Sequence, residues 1–190
     1  MNLSAFPPKN YYFNSGLEAL QGLTKTCTIG LHAVIVVNLT QWSLKEVVSS
    51  PWMENSASEK VLIVSNIRFF PLAKYYQFKN SNIVAICTES ESLKVLGDFI
   101  CGRLVEQGSN DYQKPHLTEK EFISLRYALD GVSAKEQAQE MGVCTKTVFA
   151  FRYNLAKKLQ VKKLSHLLSS FSRSFRSYGL SISALKNVNG

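Results

Sequence analysis

The chain has 190 residues, of which 45% are hydrophobic, and a formal net charge of +8 at pH 7. This length can bury one core of good size or two small ones. Its longest strongly apolar run, "HAVIVV" (32–37), is far shorter than the roughly 20 residues of a membrane-spanning helix, and the N-terminus shows no signal-peptide pattern. The four cysteines form no CxxC pair and the three histidines are isolated, so we expect no metal, no cofactor and no disulfide framework.

The positive charge is concentrated in one part of the chain. Residues 1–115 contain 10 Lys and Arg against 9 Asp and Glu, a net charge of +1, whereas residues 116–190 contain 12 against 5, a net charge of +7. Such a distribution is typical of a module that meets a polyanion, joined to one that does not. Nucleic acid is the leading partner. An anionic membrane surface is the weaker alternative, because the basic segments lack an insertion face rich in Trp and Leu.

The first half of the chain contains predicted strands and helices in alternation. A helix is predicted at "SGLEALQGL" (15–23). Three runs are apolar nearly throughout, as strands buried on both faces of a parallel sheet are: "HAVIVVNL" (32–39), "KVLIVSNI" (60–67) and "NIVAICT" (82–88). Further helices are predicted at "PLAKYYQF" (71–78) and "ESLKVLGDFICGRL" (91–104). This order predicts a small α/β domain with a parallel sheet.

A cluster of turn formers, which contains Gly108, Asn110 and Pro115, predicts a linker at 107–115. The predicted domains are therefore an α/β domain at 1–106 and a helical domain at 116–175, followed by a C-terminal tail at 176–190.

Beyond the linker the hydrophobic period is helical. Thr118 with Glu121, and Ser133 with Glu136, each fit a capping box at the start of a helix. Two glycines, Gly131 and Gly142, are placed to end the first and second helices. A third helix is predicted from about Thr145 and a fourth over "KKLSHLLSSF" (162–171). Four short helices with a tight Gly-containing turn form a helix-turn-helix pattern.

A series of motifs runs through residues 117–168: "LT.KE" at 117–121, Leu125, "G.S.KE.A" at 131–138, "TKTV" at 145–148 and "L..KL.V" at 155–161. With these residues at these spacings, the segment resembles the DNA-binding domain of LuxR/FixJ-type bacterial transcription regulators. The chain departs from the family pattern at several positions: Lys120 for an Arg, Ser124 for an aliphatic residue, Gln137 for an Ile, Cys144 for a Ser cap and Phe151 for a His. Phe122 and Ile123 stand where the family is often polar.

In response regulators with such a domain, the N-terminal half is a receiver. "HAVIVVNL" resembles the receiver strand that ends in the phosphorylated Asp, but Asn38 stands near that position. An acidic pair for Mg²⁺ is missing from the start of the chain, and "NIVAICTES" lacks the Lys of the last receiver strand. Phosphoryl transfer to a carboxylate needs the carboxylate and a metal, so the resemblance implies a degenerate receiver with no phosphoacceptor. "YYQFKNSNIVAIC" (75–87) and "FNSGLEAL" (13–20) are also similar to enterobacterial fimbrial-operon activators of the EcpR (MatA) kind.

The third helix separates into two faces. At 100° per residue, Val148, Phe151, Leu155 and Leu159 share one stripe, which is predicted to pack on the domain core. The opposite face carries the positions that match the base-contacting residues of the family, here Phe149, Ala150 and Tyr153. An apolar trio is suited to contact thymine methyl groups, with one hydrogen bond from the tyrosine hydroxyl. The alternative is that Phe149 packs against a partner domain.

The remaining predicted contacts are to phosphates and to a second copy of the chain. The residues expected to bind phosphates or fix register are Lys135, Thr145, Lys146, Thr147, Arg152, Lys157 and Lys158. In the family, the fourth helix often forms a dimer contact, and the matching candidates are Leu164, Leu167, Leu168 and Phe171. Two-fold symmetry would match an inverted-repeat operator on double-stranded DNA.

These observations predict a cytoplasmic bacterial transcriptional regulator that binds specific DNA as a homodimer. We expect an activator of fimbrial or other surface-structure genes that does not depend on phosphorylation, with RNA polymerase as a further contact. The alternative is an adaptor that forms a heterodimer with another regulator and binds DNA only weakly by itself. The sequence contains no paired-carboxylate motif, phosphate loop or nucleophile elbow, so we expect no enzyme.

Overall fold

The computed structural model describes residues 2–23, 33–55, 59–101, 103 and 115–167. The chain divides into two compact units, Met1–Glu119 and Lys120–Gly190. The predicted tail at 176–190, and the predicted linker apart from Pro115, lie outside the described residues. In the part of the chain that is described, no helix is both long enough and apolar enough to cross a membrane.

The described strands of the first unit form one parallel sheet. The strands are β1 (Asn2–Phe6), β2 (Ala33–Leu39), β3 (Lys60–Ser65) and β4 (Ile83–Thr88), in the order β1-β2-β3-β4. The three predicted strands and their parallel pairing are confirmed. Sequence analysis missed β1, a five-residue strand that lies in register with β2 from Asn2 opposite Ala33 to Phe6 opposite Val37. The sequence of β1 has no strong apolar run. This segment therefore forms a strand because it pairs with the buried strand β2.

Helices cover both faces of the sheet. On one face, α1 (Tyr11–Leu23) and α5 (Ser92–Ile100) contribute Leu17 and Leu96 to a core cluster with Leu3, Val36 and Leu62. Ala5 packs against this cluster. Because successive side chains of a strand point to opposite faces, Phe6 lies on the other face of the sheet. The centroid of the Phe6 ring is 6.0 Å from the centroid of the Trp52 ring.

The elements of that second face are α2 (Leu44–Ser49), α3 (Trp52–Asn55) and α4 (Phe70–Lys79). The indole N–H of Trp52 and the hydroxyl of Tyr76 both donate to the Val47 carbonyl, at 3.0 and 3.2 Å, and join the three helices. Sequence analysis missed α2 and α3, since six and four residues separated by Ser50 and Pro51 are too short to show a helical period. The predicted α/β fold of this unit is confirmed.

One strand ends earlier than predicted. The run "KVLIVSNI" was predicted to be a strand to residue 67, but β3 ends at Ser65. The side chain of Asn66 accepts a hydrogen bond from the backbone N–H of Arg68 at 3.1 Å and starts a short 3-10 helix, Ile67–Phe69, that leads into α4. A local side-chain bond therefore overrides the apolar character of Ile67.

The second unit is helical in its described part. Its helices are α6 (Glu119–Leu129), α7 (Ala134–Glu140) and α8 (Thr145–Lys158), and residues 165–167 form a further helical turn. Leu125, Val148 and Leu155 are fully buried at its centre. These helices confirm the predicted helical class, whereas the predicted fourth helix extends beyond the described residues after 167.

The ends of these helices are set by local chemistry. The predicted capping box of α7 is confirmed, with the Ser133 N–H donating to Glu136 at 2.9 Å and the Glu136 N–H donating to Ser133 at 3.2 Å. Gly131 and Gly142 have φ of +77° and +63°, left-handed values that favour glycine, and each lies two residues after the last residue of its helix, α6 or α7. The capping role of Thr118 stays a prediction.

Candidate nucleic-acid interface

Helix α8 buries one stripe of side chains and exposes another. Val148, Leu155 and Leu159 are completely buried, as predicted, and Phe151 on the same side is half-buried. The exposed residues of the helix are Lys146, Phe149, Ala150, Tyr153, Asn154 and Lys157. At 100° per residue they span an arc of about 140°. We call these six residues the α8 face.

Two aromatic rings dominate the α8 face. Phe149 and Tyr153 are 59% and 70% exposed, and they are the exposed large hydrophobic residues in the described part of the second unit. They are one helical turn apart, and Lys146 and Lys157 flank them at a separation of about 17 Å along the helix axis. The face therefore presents an apolar centre between two cations.

Asn154 is a residue that sequence analysis missed. It is exposed at the edge of the α8 face, four residues after Ala150. An amide side chain can pair with both the N6 and N7 edges of adenine, which an apolar trio cannot do. The 100° projection that grouped Phe149 with Tyr153 also places Asn154 on this side, so the signal was present in the sequence.

The predicted phosphate contacts lie in different environments. Lys135, Lys146 and Lys157 are exposed, and Thr145 and Thr147 are half-buried at the start of α8. The ammonium of Lys158 instead donates to the Glu121 carboxylate at 2.7 Å, and Glu121 is only 4% exposed. A lysine held in this way reaches a phosphate only if it leaves a buried carboxylate.

Arg152 is also engaged inside its own unit. Its Nε donates to Gln137 Oε1 at 2.9 Å and its Nη2 donates to the Val132 carbonyl at 2.8 Å. Burial lowers the pKa of the guanidinium from its ordinary value. Because Gln137 belongs to α7, the Arg152 side chain lies on the flank of α8 that faces α7. The predicted contact of Arg152 with a phosphate stays a prediction.

Cys144 occupies the position before α8, where the family usually has a serine cap. The thiol is exposed and lies 3.1 Å from the Thr147 hydroxyl. The hydrogen bond with Thr147 lowers the pKa of this thiol. Lys146 is exposed in the first turn of α8 and adds a positive charge near this thiol in sequence.

Asn38, which sequence analysis placed near the position of the phosphorylated Asp of a receiver, lies at the carboxyl edge of the sheet in the first unit. Asn38 is the penultimate residue of β2, it is 4% exposed, and its backbone carbonyl accepts a hydrogen bond from the Ser43 hydroxyl. Tyr11 and Tyr12 at the start of α1 and Trp42 in the turn after β2 expose their rings around an open pocket of about 390 Å³. Among the described residues, no group of three or more His, Cys, Asp or Glu side chains is arranged to hold a metal ion.

Comparison with known families covers both units. Residues 1–103 match the family described as "EcpR N-terminal domain". The chain belongs to this family. Residues 115–171, which include the α8 face, match "Bacterial regulatory proteins, luxR family". The second unit is therefore a luxR-type helix-turn-helix domain, and the chain is a DNA-binding transcriptional regulator.

Two curated relatives are similar over most of their length. The uncharacterized protein YqeH of Escherichia coli (strain K12) is 25% identical over 162 residues, which cover 81% of this chain and 74% of YqeH. The Vi polysaccharide biosynthesis protein TviA of Salmonella typhi is 21% identical over 167 residues, which cover 86% of this chain and 92% of TviA.

Solved structures of response regulators are also similar. The two-component response regulator RcsB in complex with DNA is 16% identical, with 90% of this chain and 98% of that chain covered and a TM-score of 0.38. Full-length FixJ from B. japonicum is 15% identical, with 88% and 94% covered and a TM-score of 0.36.

The predicted dimer residues of the luxR-type domain are only partly described. Leu164 is half-buried, and Leu167 is 1% exposed within its own unit. Leu168 and Phe171 lie outside the described residues. Leu164 therefore has surface left for a second copy of the chain, whereas Leu167 has almost none.

Proposed function

We propose that the chain recognises a specific promoter sequence by inserting the α8 face into the major groove of double-stranded DNA. The observation that carries this proposal is the exposure of Phe149 and Tyr153 at the centre of that face, between Lys146 and Lys157. Large exposed apolar groups mark interaction sites, and the flanking cations favour a polyanion over an apolar protein partner.

The base contacts in this proposal are mainly apolar. Phe149, Ala150 and Tyr153 contact thymine methyl groups, and the Tyr153 hydroxyl adds one hydrogen bond to a base edge. Asn154 adds the amide that can pair with adenine. The preferred half-site is therefore rich in A·T pairs.

The phosphate contacts place the helix in the groove. Lys146 and Lys157 lie about 17 Å apart along α8, enough for both to reach phosphates at the rims of a groove about 12 Å wide. Lys135, Thr145 and Thr147 contribute at the start of the helix. Lys158 contributes only its long-range charge, since Glu121 holds its ammonium.

The proposed regulator works as a homodimer on an inverted repeat and activates transcription without aspartyl phosphorylation. The amide of Asn38 supports the last point, because an amide cannot accept a phosphoryl group as a carboxylate does. The proposed targets are fimbrial or other surface-structure genes, which the EcpR family and the name of the polysaccharide biosynthesis protein TviA support. Such a protein acts in the bacterial cytoplasm, where it also meets RNA polymerase.

Genome-wide mapping of the binding sites of the protein tests this function. We expect an A·T-rich inverted repeat upstream of surface-structure operons. Fluorescence anisotropy with the purified chain should then show tight binding to a mapped site and weak binding to a scrambled duplex of equal length. Weak binding to both duplexes by the purified protein would instead support the adaptor, which reaches DNA through a second regulator.

A further inference from the structure

Two departures from the luxR-type pattern lie in the centre of the helical unit. Ser124 on α6 and Gln137 on α7 are both completely buried, at positions where the family has aliphatic residues. A buried hydroxyl and a buried amide destabilise a core unless each finds a hydrogen-bond partner. We therefore expect the two side chains to have hydrogen-bond partners inside the core.

The side chains of Ser124, Gln137 and Arg152 form a continuous chain of hydrogen bonds, which we call the relay. Arg152 Nε donates to Gln137 Oε1 at 2.9 Å, and Gln137 Nε2 donates to Ser124 Oγ at 2.7 Å. Ser124 Oγ donates in turn to the Lys120 carbonyl at 2.8 Å. No buried side-chain nitrogen or oxygen atom of the described residues lacks a partner. The relay thus joins α6, α7 and α8.

The second arm of Arg152 reaches the turn between α6 and α7. Its Nη2 donates to the Val132 carbonyl at 2.8 Å, one residue after Gly131. Two nitrogens of one planar group are thus fixed on two different elements. A guanidinium fork held at both ends fixes the rotation of α8 about its own axis, which a single flexible ammonium cannot do.

We propose that Arg152 is a positioning residue that aims the α8 face, instead of a phosphate contact. Arg152 is adjacent to Tyr153 and one turn after Phe149, so a rotation of α8 moves both rings. The effect of Arg152 on DNA binding rests on the proposed function, whereas its effect on the orientation of α8 is independent of DNA.

The orientation of α8 is measured first, without DNA. Residual dipolar couplings of backbone amides in the full chain report the angle between α7 and α8. In R152K, which keeps the charge but not the fork, we expect these couplings to change along α8, whereas the control K157A leaves them unchanged. Unchanged couplings in R152K would overturn the proposal even if the protein binds no DNA at all.

A double-mutant cycle tests the relay itself. R152K is compared in the wild-type background and in S124V/Q137I, which restores aliphatic residues. We expect R152K to raise the unfolding equilibrium constant about tenfold more in the wild-type background, where it leaves Gln137 Oε1 buried without its donor. The S124V/Q137I background also keeps the test valid if R152K alone does not fold. Equal effects in both backgrounds would show that the relay does not act as a unit.

Binding to a mapped site then separates positioning from phosphate contact. We expect R152K to reduce the ratio of specific to random DNA affinity about tenfold, with an unchanged slope of log K against log salt. R152Q should also keep that slope, whereas K157A should make it shallower by about 0.9. A slope change of that size in R152Q, with R152K close to wild type, would identify Arg152 as a phosphate contact.

Discussion

The two units expose aromatic side chains in different electrostatic settings. In the first unit, Tyr11, Tyr12 and Trp42 surround a pocket that is also lined by one lysine and one glutamate, Lys9 and Glu46. In the second unit, Phe149 and Tyr153 stand between two lysines on a domain whose sequence carries most of the net charge. The same residue types therefore indicate a polyanion in one unit only, and the charges around the rings make the difference.

The largest expected effect contrasts a buried ion pair of the helical unit with an exposed pair of the sheet unit. Lys158 and Glu121 are 26% and 5% exposed in their side chains, whereas Arg103 and Asp98 are 69% and 34% exposed. K158M removes the lysine that pairs with the buried Glu121 carboxylate, and it should lower the free energy of unfolding by about 3 kcal/mol. R103M should cost below about 1 kcal/mol. Native-state hydrogen exchange follows each unit separately, and similar losses in both variants would contradict the contrast.

The next effect concerns the two aromatic surfaces. F149A and Y153A should each reduce discrimination between a mapped site and random DNA about tenfold, because a base contact is lost. Both rings are largely exposed, so we expect little loss of stability. W42A, which removes an exposed ring of the first unit, should leave discrimination unchanged. Equal losses for specific and random DNA in F149A and Y153A would remove the proposed base contacts.

A smaller effect separates the lysines of the α8 face from those of the sheet unit. K146A/K157A should make the slope of log K against log salt shallower by about 1.8, since each lysine neutralises one phosphate. Its matched control is K94A, at an exposed position of α5. Salt titrations monitored by fluorescence anisotropy measure the slopes. A change of about 0.9 in K94A, which removes one lysine, would indicate that total charge, and not the α8 face, governs binding.

The smallest expected effect is on pH dependence. Hydrogen bonds from Ser133 lower the pKa of Glu136 below its ordinary value of 4.5. A depressed pKa in the folded state adds stability above the unfolded pKa, and this stability is lost as the pH falls through the folded value. E136Q should therefore flatten the stability curve of the helical unit at acid pH. Denaturation at pH 7 and at pH 3 measures this, and an unchanged pH profile would show that the capping box does not contribute.

The elements that sequence analysis predicted are those whose signal is local. "HAVIVVNL" is apolar enough to be a strand whatever surrounds it, and Ser133 with Glu136 specify a helix start within four residues. The core stripe of α8 follows from its period. In contrast, β1 depends on pairing with β2, and α2 and α3 are too short to show a period.

The candidate site was predictable in its faces but not in its contacts. The exposed positions of Phe149 and Tyr153 follow from helix geometry, and both are exposed in the structure. The charges of Arg152 and Lys158 gave no indication that one would be held by Gln137 and Val132 and the other by Glu121. Such contacts join residues 15 to 37 positions apart, and only the packing of three helices brings them together.

The relay also restricts the order in which its residues can be acquired. From an aliphatic pair, serine at 124 can come first with its hydroxyl satisfied, because the hydroxyl bonds to the Lys120 carbonyl of its own helix. Glutamine at 137 without Ser124 would leave its amide N–H groups only the weak acceptor Met141 Sδ, at 3.3 Å. The favoured mutational path therefore passes through Ser124 before Gln137, and libraries that vary these two positions independently should be depleted of chains with glutamine alone.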